Sequence, residues 1–282
     1  MKNPMGLLLF ALLTMPLLAQ TDTLRPQTLA VWNEHVGAAN ARLEHDVRQN
    51  DQFLVIDRDP GLRAQLRGGV IVITPVGSNG RTAVPHGLIT DWVGDIFVPN
   101  TTVSDVVDQL NDYDRYRQYF SPTVVDAHLL SHAGAEYNFS MVLRQKVLFV
   151  TPVLEGDYKS QTTKVDDDRW YTVSHTTRLQ DVEHYGEPSQ RKLPPDQGHG
   201  YIWRIHNITR FEGRDGGVYI EIEALTLSRD VPSGLRWLID PVVRQLPRNS
   251  LEATLQQTRD AVTAPNVATR MFAQSGSAEG SK

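Results

Sequence analysis

The chain carries nine histidines and 33 acidic residues but no cysteine, so thiolate chemistry, disulfides and cysteine-bound zinc are excluded. The remaining reactive side chains form no known constellation. His199 and His206 lack the spacing of a chelating pair, and Glu183-His184 has no second histidine at helical distance. Asp166-Asp167-Asp168 lacks the alternating ligands and glycine of a calcium loop and reads as a solvated turn. No serine sits in a Gly-x-Ser-x-Gly elbow, and Arg67-Gly68-Gly69 opens no phosphate-binding helix. The sequons at Asn100, Asn138 and Asn207 read as chance matches. No catalytic residue, metal ligand or cofactor is expected, and binding is favoured over catalysis.

Two patterns along β-like runs carry more information. Trp92, Tyr137, Phe139, Tyr201, Trp203 and Phe211 fall mostly on one alternating face of their strands, where large aromatics fill a core or line a ligand pocket. Met141 continues the alternation of Tyr137 and Phe139. Arg144 and Lys146 share one strand face, while Arg204, His206 and Arg210 share another, beside Glu221 and Glu223 on a hairpin partner. Such charges read as a solvated outer face laced with ion pairs. The sharper alternative puts Arg144 or Glu223 inside the pocket to meet a polar ligand end, since a buried charge persists only when paired.

The elements that must position these residues follow from periodicity. Thr28 is placed to cap a helix after Pro26, with Leu29, Trp32, Val36, Ala39, Leu43 and Val47 on the face that docks on the domain. Two short strands, Phe53–Ile56 and Val70–Thr74, flank turn chemistry at Asp59-Pro60-Gly61, and residues 77–85 read as a loop. A strand over Leu88–Val98 leads to a helix capped by Thr101 or Thr102, then a short helix or turn over Tyr113–Phe120. Further strands cover Tyr137–Leu143, Trp170–Leu179, Gly200–Phe211 and Val218–Leu227, the last two joined through Asp215-Gly216-Gly217. Residues 186–199, with three prolines, are expected to form a long mobile loop. A C-terminal helical stripe begins at Leu235 and continues through Leu255 and Val262.

This order predicts an α+β helix-grip: a curved antiparallel sheet wrapped around a long C-terminal helix, with an N-terminal helical extension. A ligand would sit between sheet and helix. Candidate cavity residues are Trp92, Tyr137, Phe139, Met141 and Arg144, with Tyr201, Trp203 and Glu223 from the later strands and Trp237 from the helix.

Specific residues also carry a family resemblance. Trp92-Val93-Gly94-Asp95-Ile96-Phe97-Val98-Pro99, followed by a helix and Tyr113-Asp114-Arg115-Tyr116, resembles the opening of START-like proteins. These are also called the polyketide cyclase/lipid-transport or SRPBCC superfamily. Gly217-Val218-Tyr219-Ile220-Glu221, then Ser228-Arg229-Asp230-Val231-Pro232 and a long amphipathic helix, resembles its close. The segment before residue 86, including Trp32, is similar to the leader of secreted bacterial members. The resemblance spans roughly residues 88 to 263. It implies a deep cavity for sterols, phospholipids, quinones or polyketides, without supplying any catalytic residue. The expected function is a carrier or sensor of an apolar small molecule or lipid. One alternative is a cyclase or hydrolase using Glu223, His206 or Tyr201, and another is a protein-interaction module.

Bulk properties agree with export. Lys2 followed by an apolar run over Gly6–Leu18 and a small residue, Ala19, has the layout of a signal peptide cleaved near that point. The run is too short for a comfortable membrane span, and no later segment is long and apolar enough to be one. A net charge of -5 argues against nucleic acid as a partner. The expected organisation is a signal peptide over 1–19, an extension over 20–86, a START-like domain over 87–264 and a disordered tail over 265–282. The mature protein is expected in the periplasm or outside the cell.

Overall fold

Pro26 starts the first helix, α1 (Pro26–Val47), because its fixed φ and missing N–H suit the first helical position. The cap is therefore Arg25, not Thr28. Thr28 is buried inside the first turn instead, and its hydroxyl donates to the Pro85 carbonyl at 2.6 Å. The computed structural model describes residues 21–49, 52–146, 151–230 and 245–264. The expected signal peptide, Trp237, the start of the C-terminal helical stripe and the tail lie outside these residues.

The expected strand at Phe53–Ile56 is not one: Val55–Arg58 forms a 3-10 turn, with Phe53 and Leu54 fully buried beside it. Asp59 is not a turn residue but the N-cap of α2 (Pro60–Arg67), accepting from the Gly61 and Leu62 amides. An Asp-Pro pair serves both a turn and a helix start, and only the residues after it decide between them.

Downstream, β2 (Val72–Pro75) and β3 (Arg81–Val84) both pair with the long β4 (Gly87–Pro99). Next come α3 (Val103–Leu110), capped by the Thr102 hydroxyl, and the short α4 (Tyr116–Tyr119). The sheet continues through β5 (Val124–Ala133), β6 (Glu136–Arg144), β7 (Val153–Lys164), β8 (Arg169–Glu183), β11 (Arg204–Arg214) and β12 (Gly217–Arg229). The β11–β12 turn has Asp215 at φ 55° and Gly216 at φ 79°, as a tight hairpin requires. Residues 186–199, expected as a mobile loop, are tied down. Within them β9 (Arg191–Lys192) pairs with β8, and β10 (Gln197–Gly198) pairs with β1 (Asp22–Thr23) near the start of the described chain.

The antiparallel order is β2-β4-β12-β11-β8-β7-β6-β5. One face packs Ile96, Val98, Phe211 and Ile220 against α3 and against Leu251, Leu255 and Val262 of α5, the helix over residues 245–264. The other face is covered by α1 through Trp32, Ala39 and Leu43, which pack on Ile89, Ile208, Leu225 and Leu227. Three layers result, with the sheet in the middle. No described helix is long and apolar enough to cross a membrane.

Candidate ligand cavity

Period-two alternation divides the central strands into two faces with different chemistry. Toward α5, neighbours in register run Ser160, Ser174, Asn207, Ala224 and Trp92 across β7, β8, β11, β12 and β4. An adjacent row runs Thr162, Thr172, Thr209, Ile222 and Gly94. These inward residues are mostly small and uncharged. They cannot fill the space that α5 spans, and a cavity of about 500 Å3 remains between sheet and helix. Gly94 sets the helix height, because a Cβ there would lie 2.5 Å from Leu255 Cδ1 and 3.0 Å from Leu251 Cγ.

One end of the cavity is aromatic. The Phe139 ring stacks on Tyr113 at 3.9 Å and on Tyr158 at 5.0 Å. The Tyr116 hydroxyl is anchored on the Leu110 carbonyl at 2.6 Å. Burial pushes the Tyr113 phenol up to about 12 and raises Tyr158 further still, so both are neutral donors at any ordinary pH. The charged residues on the wall, among the described residues, are Arg229 and Asp230, adjacent in sequence.

The nine sequence-selected residues separate clearly. Trp92, Phe139, Met141 and Tyr201 are on the cavity wall. Tyr137 packs behind it, 5.5 Å from the Tyr113 ring. Arg144 is exposed at the end of β6. Trp203 is buried with Trp32 and Leu43 in the layer beneath α1. Glu223 is also on that far face, and Trp237 is outside the described residues. The sequence reading missed Tyr113, Tyr158, Ser160, Ser174 and the wall role of Asn207. The usable signal was charge at every second position of β7, Glu155, Asp157 and Lys159, which marks the intervening residues as inward.

Charged residues on the far face are neither solvated nor in the cavity. Arg210, Glu221 and Glu223 are at most 1 % exposed, sealed under α1. The Arg210 guanidinium pairs with Glu221, with Glu223 at 3.5 Å and with Asp46 of α1 at 3.8 Å. Arg42 of α1 joins Glu223 at 2.6 Å and Asp91 at 3.2 Å. The Val55 amide donates to Glu221 at 2.6 Å. Burial, and then the charge of its register partner Glu221, hold the Asp95 carboxyl well above the usual range. Burial also raises Glu223, with Arg210 and Arg42 pulling it back.

The acid–base groups proposed for the enzymatic alternative divide in the same way. Tyr201 is on the wall, whereas Glu223 and His206 lie across the sheet from it. Among the described residues no group of three or more His, Asp or Glu side chains is arranged to hold a metal ion.

His206 and Glu212 give this face a testable pH signature. Burial first, and then His175, pull the His206 imidazole down to about 4, and its Nε2 sits 3.1 Å from Asn40 of α1. Burial pushes Glu212 up to about 7, against the pull of Arg214. Unfolded His206 takes its proton near 6.5 while the folded form waits until about 4, so its contribution is lost as pH falls through that window. Glu212 has the opposite sign: the folded state keeps its proton up to about 7, so stability is lost as pH rises from 4.5 to about 7. Each effect is worth roughly 3 kcal/mol across its window, and the two nearly cancel. Relative to the parent, His206→Gln should gain stability between pH 7 and 4.5, and Glu212→Gln should lose it. Urea unfolding at both pH values checks this, and parallel behaviour of the two variants would contradict it.

No protein-family model matches the chain and no curated protein matches it. Solved structures do resemble it. A STAR-related lipid transfer protein from Xanthomonas axonopodis is 18 % identical, with 68 % of this chain and 98 % of that one covered at a TM-score of 0.43. Human STARD10 is 9 % identical, with 81 % and 88 % covered at 0.41. The Zhui aromatase/cyclase from Streptomyces is 12 % identical, with 62 % and 94 % covered at 0.40. All three scores lie below 0.5, so the fold rests on the strand order, the C-terminal helix laid across the inner face and the cavity between them. By that architecture the chain has an α+β helix-grip fold.

Proposed function

We propose that this protein binds an apolar small molecule or lipid in the cavity beneath α5 and serves as its carrier or sensor outside the cytoplasm. The observation that carries the reading is the cavity itself: about 500 Å3, with a predominantly apolar wall and a single adjacent pair of charged residues among those described. Ligand sites of this size and lining bury most of a drug-sized molecule. Leaving such space unfilled forfeits packing contacts that a folded domain otherwise makes. Asp95, Glu212, Glu223 and His206, all shifted by burial, sit on the opposite face, and Asp181, whose carboxyl burial also raises, is not one of the wall residues, which favours binding over acid–base turnover. The signal-like segment before residue 20 supports an exported location.

Native mass spectrometry of the protein recovered from the exported fraction, followed by organic extraction, tests the reading. A stoichiometric apolar ligand is expected. A ligand-free mass, combined with failure to take up the neutral dye Nile red, would refute it.

A further inference from the structure

Leu129 and Leu130 of β5 are 38 % and 56 % exposed, and with Val70 they are the large apolar side chains left in solvent among the described residues. Neighbours on a regular strand point to opposite faces. Here the register with β6 slips between Leu129 and Ser131, so Leu130 is unpaired and both side chains stand at the free edge of the sheet. The surface around them is uncharged: residues 128–135 are all exposed and contain no Asp, Glu, Lys or Arg. The acids that flank this run are engaged, Asp126 with His128 at 3.2 Å and Glu136 with Lys159 at 2.8 Å. Asp114 accepts the Leu129 amide at 2.9 Å, which fixes Arg115 and Arg117 beside the leucines. Both arginines are exposed, and among the described residues neither is paired with a carboxylate.

We infer that this edge is a docking surface for a bilayer containing anionic lipid, with Leu129 and Leu130 entering between the headgroups and Arg115 and Arg117 facing the phosphates. Another strand does not fit the bulge, because Asp114 already takes the Leu129 amide and the slipped register interrupts the ladder. Two part-exposed leucines also fall far short of the roughly 1,000 Å2 that a stable protein interface buries. A lipid surface asks for neither a ladder nor shape complementarity. It takes apolar side chains and cations together, the two signals that give lasting attachment. The position relative to the cavity agrees. Leu129 is opposite Phe139 in register, and Phe139 is opposite Tyr158, so one row of side chains runs from the exposed edge to the aromatic end of the cavity wall. Docking here brings acyl chains close to the cavity, although the contact itself does not depend on what the cavity holds.

Protein recovered from the exported fraction should co-sediment with phosphatidylcholine/phosphatidylglycerol vesicles, and more weakly with phosphatidylcholine alone. Leu129→Ser combined with Leu130→Ser should weaken vesicle binding by at least about tenfold. Arg115→Gln combined with Arg117→Gln should remove the preference for anionic vesicles, a loss of about tenfold at low salt. All four positions are exposed, so both variants should melt with the parent, and the serine pair should take up Nile red as before. Because the chain has no cysteine, Leu130→Cys accepts a single environment-sensitive label, whose emission should rise when anionic vesicles are added. The same label on Ala30→Cys, exposed on α1, should not respond. Vesicle binding that survives the serine pair, or an equal response from both labels, overturns the inference. So does a concentration-dependent dimer that the serine pair abolishes, which would make the edge a contact between copies. Absence of vesicle binding overturns it as well, while leaving the cavity reading intact.

Discussion

Replacing Arg210 with methionine should cost about 3–5 kcal/mol of folding stability at pH 7, without weakening Nile red uptake by the folded molecules. The guanidinium is fully buried and serves Glu221, Glu223 and Asp46 together. Its removal leaves carboxylates confined between β11, β12 and α1 without a nearby buried cation. Arg42 does not substitute for it, being partly exposed and committed to Asp91 and Glu223. The loss should shrink at pH 5. Asp95 and Glu223 already hold their protons more tightly than ordinary carboxylates, and a protonated acid needs no cation. Adding Glu221→Gln and Glu223→Gln to the methionine variant should restore most of the stability, since removing a whole buried ionic group costs far less than breaking it. Urea titrations at both pH values read the effect. An equal loss at pH 7 and pH 5 would mean that the shape of Arg210, not its charge, is what matters.

Asn207→Trp should have the complementary effect, abolishing ligand uptake while keeping the fold. Asn207 is on the inner face of β11, between Ser174 of β8 and Ala224 of β12 in register, and faces the empty volume. An indole there enters space that no side chain occupies, so the overpacking cost of a filled core does not apply. Nile red affinity should fall by at least about a hundredfold, with a melting temperature within about 5 °C of the parent. Retained dye binding by a folded Asn207→Trp protein would move the binding site away from this cavity. Together the two variants separate the faces of one sheet: one loses stability and keeps binding, the other does the reverse.

Local sequence was enough for the elements with strong periodicity or decisive end chemistry. The apolar stripe of α1, the Thr102 cap, the Asp215-Gly216 hairpin and the aromatic alternation of β6 all appear where spacing placed them. β7 was missed because most of its inward positions are not aliphatic, with Gly156, Tyr158, Ser160 and Thr162 turned toward the interior, and β5 because its exposed Leu129 and Leu130 break the alternation set by buried Val124 and Ala127. A strand lining a cavity need not look like one filling a core. The segment at 53–58 was misassigned because a short apolar run has the same composition in a buried 3-10 turn as in a strand.

The amino-acid sequence alone therefore determined the α+β class, the helix-grip order and which residues share a strand face, because these depend on periods of 2 and 3.6 and on local turn and cap chemistry. Only the tertiary structure decided which face was the cavity. Alternation pairs Arg210 with Glu221 and Glu223 but is silent on what covers them, and α1, more than 160 residues away in sequence, turned an apparently solvated charge ladder into a buried network. The same long-range docking put Trp203 beneath α1 and left the small polar residues of β7, β8 and β11 facing α5. Burial is a property of pairs of elements, and no single strand's sequence contains it.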